Sequence, residues 1–334
     1  MSRCLVTGGA GFMGAHVVHA LLNRGHEVVA LDDLSGGYED NVDARARFVL
    51  ASVTDEDAID RLFEAERFDH VYHLAAYAAE GLSHFIRRFN YTNNVIGSVN
   101  LINAAVNHSV DCFVFTSSIA VYGAGQTPMI EDMIPQPEDP YGVAKRAVEL
   151  DLAAAHEMFG LDYVIFRPHN VYGEYQNIGD RYRNVLGIFI NQIMQGKSLS
   201  IFGDGEQSRA FTYVGDIVGP LVDAPFVDGA RGETFNVGAD TPHSVNRLAD
   251  VVREAMGVPG HEVIHHEARN EVVDAFSDHS KLARVFGEQP VTSLEEGVQR
   301  MVEWAREHGP RPTPAFTGIE VEKNLPPSWR QGAA

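Results

Sequence analysis

The chain predicts an α/β protein: a mostly parallel sheet with helices between its strands, followed by a smaller mixed C-terminal lobe. Three observations carry this. The apolar run at Cys4–Val6 stops in a glycine turn, and Val17, Val18, Leu21 and Leu22 then recur at helical spacing. From Glu27 to Arg167 short apolar runs keep alternating with segments of helical period, the pattern of parallel strands joined by right-handed crossovers. After Asn170 that alternation ends.

In order, the strands expected after the first are Glu27–Leu31, Phe48–Ala51, Asp69–Ala76, Asp111–Ser117 and Leu161–Arg167. Helices fall between them at Asp57–Phe68, Tyr91–Val106 and Ala144–Phe159. In the second half Glu174–Arg183 reads as loop, Val185–Met194 as helix, Leu199–Phe202 as strand and Gly203-Asp204-Gly205 as turn. Thr234–Val237 reads as a further strand of the main sheet, and Val245–Met256 and Ser293–Glu307 as amphipathic helices. The expected division is a nucleotide-binding domain over 1–173, with 203–237 partly returning to it, and a substrate lobe over 174–202 and 238–315. Residues 316–334 are a tail, and the proline-rich end from Gly309 is expected to be loosely ordered or laid along the surface.

Composition narrows the partners. The chain has 334 residues with 26 Lys and Arg against 46 Asp and Glu, a formal charge of −20 and no basic tract, so nucleic acid is not an expected partner. No apolar run approaches membrane-spanning length, and the first strand begins at once, leaving no room for a signal peptide. Cys4 and Cys112 sit in apolar runs and read as buried free thiols. A soluble protein of the cytoplasm is expected. His261, His265, His266 and His279 read as ordinary surface histidines, and no metal is expected.

The stretch Thr7-Gly8-Gly9-Ala10-Gly11-Phe12-Met13-Gly14 organises the chain. Gly8 permits a tight turn, Gly11 lets the backbone approach a pyrophosphate, and Gly14 lets the helix lie close to the strand. The helix N-terminus then offers free N–H groups and a positive dipole end to phosphates. About twenty residues on, Asp32-Asp33 ends the next strand; a carboxylate there suits ribose hydroxyls and repels a 2′-phosphate. The arrangement is Rossmann-type and favours NAD over NADP. In such a sheet ligands lie at the carboxyl ends of strands, where Gly8, Asp32, His73, Ser117, Ser118 and the segment from Pro168 all fall.

Tyr141-Gly142-Val143-Ala144-Lys145 puts a phenol and an ammonium on one helix face. A nearby ammonium favours the phenolate, so Lys145 is expected to lower the Tyr141 pKa toward working pH. Ser118, at the end of a buried strand, is placed to hydrogen-bond the same substrate oxygen as Tyr141. Together with a dinucleotide site, these residues point to oxidation and reduction at a carbinol carbon.

On these residues, with His73-Leu74-Ala75-Ala76, Asn94-Val95-Ile96-Gly97, Ser117 to Gly123, Arg167 to Gly173 and Gly203 to Arg209, the chain resembles the extended short-chain dehydrogenase/reductases. The resemblance is to their NAD-dependent nucleotide-sugar epimerase/dehydratase group, over roughly residues 1 to 310. It implies that Ser118, Tyr141 and Lys145 are catalytic. It implies cofactor contacts at Gly8, Gly11, Phe12, Met13, Asp32, Leu74, Ala75, Ala76, Asn94, Tyr141, Lys145 and Pro168. Besides Ser118 and Tyr141, Asn170, Arg209 and Arg269 are the implied substrate contacts, the arginines clamping a diphosphate with fork-shaped charged donors. Relatives commonly pair as homodimers through the helices Tyr91–Val106 and Ala144–Phe159.

Departures from the group sort its reactions. Its 4,6-dehydratases carry an Asp-Glu pair where this chain has Ile119 and Ala120, and its UDP-glucuronate decarboxylases carry a Glu at the place of Ala120. Neither Ile119 nor Ala120 moves protons, which leaves 4-epimerisation of a UDP-sugar through a 4-keto intermediate. UDP-glucose/UDP-galactose stands ahead of UDP-glucuronate/UDP-galacturonate. A sugar carboxylate would suit Arg87, Arg181 or Arg183; a 4-ketoreductase of the same group is the other alternative. Where the group often has an adenine-side Asp this chain has Ser52, which is expected to serve more weakly.

Overall fold

The structure, a computed structural model, describes residues 1–125, 127–268 and 274–329. Six strands follow the expected order: β1 (Arg3–Thr7), β2 (Glu27–Asp32), β3 (Arg47–Leu50), β4 (His70–His73), β5 (Cys112–Thr116) and β6 (Tyr163–Pro168). A seventh strand, Glu233–Val237, returns late in the chain and pairs with β6. The sheet is parallel throughout and runs seventh strand–β6–β5–β4–β1–β2–β3. This is the Rossmann strand order with one strand added, and the order reverses between β1 and β4, where such sheets open a crevice.

Both faces of the sheet are covered, so its strands are apolar nearly throughout. Side chains alternate across β1: Leu5 packs with Val29, Phe63, Leu101, Phe113 and Val148, while Cys4 and Val6 pack with Val18, Leu21, Phe166 and Phe235. The first face lies under α2 (Glu56–Ala65), α5 (Gly97–Asn107) and α6 (Pro140–Phe159), and the second under α1 (Phe12–Asn23) and the helix Val214–Asp223. Cys4 and Cys112 are buried free thiols, each pushed up to about 12 by burial.

α6 starts where its sequence says a helix should. Asp139 caps it, accepting from the Tyr141 and Gly142 N–H groups at 2.9 and 3.0 Å, Pro140 opens the first turn, and left-handed Gly160 ends it. The helix expected over Tyr91–Val106 is longer and interrupted: α4 (Arg87–Tyr91) continues through a π turn, Thr92–Ile96, into α5. The short helix α3 (Glu80–Ser83) precedes it.

A second core, built from Leu186, Phe189, Leu199, Leu248, Val252, Val298 and Met301, holds the helices Val185–Met194, Val245–Ala255 and Leu294–His308. Short strands, all but Leu199–Phe202 absent from the sequence reading, tie it together. Val171–Tyr172 pairs with Thr212–Tyr213, Val263–His266 with Leu199–Phe202, and Ser208–Ala210 lies between Pro242–Ser244 and Asp274–Ala275. The proline-rich tail lies along the surface, mostly exposed through Asn324, and is pinned at its far end, where Leu325 and Trp329 are buried against Ala79, Leu82 and Ile86. Among the described residues no helix is long and apolar enough to cross a membrane.

Candidate active site

A cavity of about 1640 Å³ opens over the carboxyl ends of β1, β2, β4, β5 and β6. Pockets for one small ligand commonly run to about 1,000 Å³, so this one has room for two. It runs from Gly8, Gly11 and Asp32 past Ser118, Tyr141 and Lys145 to Asn170 and Arg209.

The glycine turn is fitted as its spacing implies. Gly8 has φ +71°, and a Cβ there would lie 2.8 Å from the Ala75 nitrogen. A Cβ on Gly14 would lie 1.9 Å from the Gly8 carbonyl oxygen, so nothing but hydrogen allows α1 to sit this close to β1. Gly11 precedes α1 with no side chain capping the helix, which leaves its first N–H groups to a ligand. Asp32 is buried; it accepts from the Ala10 and Leu34 N–H groups at 3.1 and 2.8 Å. Burial raises its pKa and those backbone bonds oppose the rise. Two buried polar atoms of the lining, Thr116 Oγ1 and Gln176 Oε1, have no partner among the described residues. A bare helix end, a ribose-seeking carboxylate and unpaired lining atoms fit NAD.

A line of hydrogen bonds holds the turn after β4. Ala75 N–H donates to Thr7 Oγ1 (3.4 Å), which bonds His73 Nδ1 (2.7 Å); His73 Nε2 bonds Ser98 Oγ (2.8 Å), which donates to the Asn94 carbonyl (2.8 Å). Because Ser98 gives its proton to Asn94, His73 must carry its own on Nε2 and accept from Thr7. Burial holds the His73 pKa down at about 3, so this ring stays neutral. Asn94, an expected cofactor contact, has its side-chain amide bound within the protein. Its amide accepts from Tyr77 N–H (2.8 Å) and donates to the Tyr77 carbonyl and Asn90 Oδ1, and Asn93, not Asn94, lines the cavity. Asn94 shapes the loop that the cofactor would lie on. Leu74, Ala75, Ala76, Phe12, Met13 and Pro168 do line the cavity.

Ser118 and Tyr141 stand side by side in the cavity wall, where Ser118 acts on the Tyr141 phenol. Ser118 Oγ accepts from Ala120 N–H at 3.1 Å, which orients the hydroxyl. The approach depends on Gly142: a Cβ there would sit 2.5 Å from the Ala120 carbonyl oxygen, holding α6 off the serine turn. Lys145 lies one helical turn on, donating to the Thr116 carbonyl at 2.7 Å, with its ammonium 4.7 Å from the Phe115 ring centre and 5.9 Å from that of Tyr141.

The expectation that Lys145 brings the Tyr141 pKa down is not met. Burial, with Glu80 adding to it, raises Tyr141 above the ordinary phenol range, and nearby Ser118 opposes the rise. Lys145 itself is brought down to about 7 by burial, against the pull of Glu149, so near neutral pH it carries its proton only part of the time.

This fixes the sign of a stability effect. The unfolded lysine holds its proton up to about its ordinary 10.5 and the folded one releases it near 7, so stability falls as pH drops from 10.5 through 7. Lys145→Met is therefore expected to be more stable than the parent by a few kcal/mol below pH 7, the gain shrinking as pH climbs toward 10.5. Denaturant unfolding across that range checks it; a gain independent of pH would refute the account.

Beneath the three residues lies a buried ionic network that sequence reasoning missed. Arg167 makes a two-pronged bond to Glu149, Nε to Oε1 at 2.8 Å and Nη2 to Oε2 at 2.7 Å. Ser117 donates to the same carboxylate at 2.6 Å, and Arg146 at 2.9 Å. Arg167 Nη1 donates to Tyr122 Oη, which donates to Asn236 Oδ1, both at 2.8 Å. Glu149 lies on α6 and Arg167 on β6, which that helix covers, but nothing in their sequence spacing pairs them.

The remaining expected residues divide. Asn170, with φ +42°, and Arg209 line the cavity. Arg183 also lines it, bound to Asp180 at 2.6–2.7 Å and lying over the Tyr77 ring at 4.7 Å. Arg87 does not reach the cavity; it is exposed on α4, 6.0 Å from the Tyr91 ring centre. Arg181 does not line it either and lies 5.9 Å over Tyr182. Arg269 lies outside the described residues. Ser52 is turned away into its own loop, bonded to Thr54, while Ala51 and Val53 line the adenosine side. His261 and His265 bond backbone carbonyls, and His266 stacks on Phe202. His279 bonds Asp240 and approaches His169, which burial holds at about 4.

Comparison with known proteins agrees with this geometry. Residues 4–238 match the model of the NAD dependent epimerase/dehydratase family. The UDP-glucose 4-epimerase of Mycolicibacterium smegmatis is 35% identical over 311 residues, covering 91% of this chain and 98% of that protein. Among solved structures, the UDP-glucose 4-epimerase of Thermotoga maritima with UDP-glucose is 35% identical with a TM-score of 0.86, covering 92% of this chain and 99% of that one. The UDP-glucuronic acid 4-epimerase of Bacillus cereus, in complex with UDP-glucuronic acid and NAD, is 29% identical with a TM-score of 0.83 and the same coverage. A parallel sheet of Rossmann order, a glycine cradle and a Ser–Tyr–Lys site therefore come together in an enzyme that belongs to the NAD-dependent epimerase/dehydratase family.

Proposed function

We propose that the protein is a 4-epimerase of a neutral UDP-hexose, interconverting UDP-glucose and UDP-galactose with NAD held from cycle to cycle. The observation that carries this is the Ser118–Tyr141 pair in the cavity wall, with side chains that move no protons at the two positions after the serine. Ile119 and Ala120 line the cavity beside them, and Asp139 is engaged as the cap of α6. Such a site oxidises and re-reduces a carbinol without the proton shuttling that dehydration needs.

When bound, NAD supplies the two-electron acceptor and brings the positive charge of its oxidised ring into the site. The chain's residues do the rest. Tyr141 Oη takes the C4 hydroxyl proton and later returns it; Ser118 Oγ holds the same oxygen. Lys145 lies 5.9 Å from the Tyr141 ring centre, where its charge, when it holds its proton, favours the phenolate. Asn170 and Arg209 grip the diphosphate while the sugar turns about it, and Gly8, Gly11 and Asp32 hold the cofactor.

The arginines support a neutral sugar: two of the three expected to meet a carboxylate miss the cavity, and the third is engaged by Asp180. UDP-glucuronate is the second reading, because Arg183 does reach the lining and its charge is felt at Tyr141. A homodimer through α5 and α6 is supported by exposed Ile96, Val143, Leu150, Met158 and Phe159 on that side. Buried unpaired thiols suit a reducing compartment, the cytoplasm.

The test is turnover of purified protein with UDP-galactose and then UDP-glucuronate, no cofactor added, followed by separation of products. The C4 epimer of the first is expected, and a better rate with the second would move the assignment to the sugar acid. No epimer from either, with consumption of added NAD(P)H by a 4-keto sugar nucleotide, would make the protein a reductase.

A further inference from the structure

The tail after the last helix crosses the cleft and is fastened on both sides. On the lobe side Asn191 Nδ2 and Gln195 Nε2 donate to the Arg311 carbonyl at 3.0 and 2.7 Å, and Arg311 N–H donates back to Asn191 Oδ1 at 2.9 Å. The chain then reaches the loop after β4. Phe316 N–H donates to Tyr182 Oη at 2.9 Å, and its ring meets Tyr77 and Phe89 at 5.5 and 5.1 Å. The Glu320 carboxylate accepts the Arg88 and Phe89 N–H groups, both at 2.8 Å, while the Glu320 and Val321 N–H groups donate to the Phe85 carbonyl. Trp329 is buried against Phe85 and Tyr182, its ring so close over Gly81 that a Cβ there would lie 3.3 Å away.

The landing place is next to the chemistry. Ser83, on the same loop, bonds the Tyr141 N–H and Asp139 Oδ1 at 3.3 Å each, and Glu80 acts electrostatically on Tyr141. Val321, Lys323, Asn324, Pro326, Pro327 and Trp329 line the cavity. Apart from Lys323 and Asn324 this wall is valine, proline and tryptophan, surfaces that confine a sugar with few directed bonds to its hydroxyls.

We propose that this strap, Phe316–Trp329, retains the oxidised sugar during epimerisation. The inference rests on the 4-epimerase reading. In the first half-reaction C4 loses its hydrogen with the bonding electron pair to nicotinamide and its hydroxyl proton to Tyr141, becoming a carbonyl; the second half returns both to the other face. Between the two, the sugar must turn over while its Tyr141–Ser118 contacts are broken. A ketone that escapes then leaves the protein with a reduced cofactor and nothing to re-reduce. Arg209 restrains only the diphosphate end, so a fixed, weakly bonding wall at the sugar end is what permits rotation and bars exit.

The experiment compares the full chain with a chain ended after Ala315 and with Trp329→Ala, which keeps the Arg311 and Glu320 anchors. Each is incubated with UDP-galactose while the near-ultraviolet band of reduced nicotinamide is followed, and 4-keto sugar is assayed in an ultrafiltrate. Both variants are expected to retain cofactor, to accumulate its reduced form and to release about tenfold more ketone per turnover than the full chain. If the full chain epimerises and either variant, holding its cofactor, does so with no more leakage, the strap is structural only and the proposal falls. If the full chain makes no epimer, the 4-epimerase reading falls and takes the strap's role with it.

Discussion

Tyr141→Phe is expected to lower kcat by about 10²- to 10⁴-fold, the span of one general acid–base group, while leaving cofactor bound and KM little changed. Phenylalanine fills the buried space of Tyr141 and loses only the Oη beside Ser118 that would meet the substrate oxygen. The stability cost is expected to be small, at most about 1 kcal/mol. Steady-state kinetics with cofactor content measured on the same sample separate the possibilities. A variant retaining more than a tenth of parental kcat would remove Tyr141 from the chemistry.

The largest stability effect is expected at Glu149. Glu149→Leu leaves the buried Arg167 guanidinium without its counter-charge and Ser117 without its acceptor. Breaking one side of a buried pair costs about 3–5 kcal/mol, whereas replacing both partners by apolar residues is far milder. The double variant Glu149→Leu/Arg167→Met is thus expected to recover much of the loss in denaturant unfolding. Additive losses would show that the two residues do not act as a pair. Because Glu149 also holds up the charge on Lys145, the single variant should further depress protonation of that lysine.

The sheet was legible because its strands carry apolar stretches and most of its crossovers have a helical period; Val185–Met194 and Leu199–Phe202 keep the expected bounds. The glycine turn was legible because its steric demand acts on the local chain. What was hidden depends on distance. The π turn at Thr92–Ile96 inserts within a helical period that apolar spacing cannot resolve. Tyr141 was misjudged because sequence shows its neighbour Lys145 but not the burial that governs both groups. Nothing local says that the Asn94 amide is taken up by Tyr77. The Phe316–Trp329 segment has no period; its anchors are backbone groups and scattered aromatic rings.

The seventh strand has a consequence for how the protein is made. β6 stays the rim of the sheet until Glu233–Val237 arrives, and everything from Val171 to Arg231 must be laid out first. A nascent chain therefore holds an unpaired, apolar strand edge bearing Ile165 and Phe166 for the whole interval, the kind of edge that invites pairing with another molecule. The cofactor half and the sugar half are thus not separable modules: a chain cut after Gly173 would carry the glycine cradle, Ser118, Tyr141 and Lys145 on a sheet with an open side.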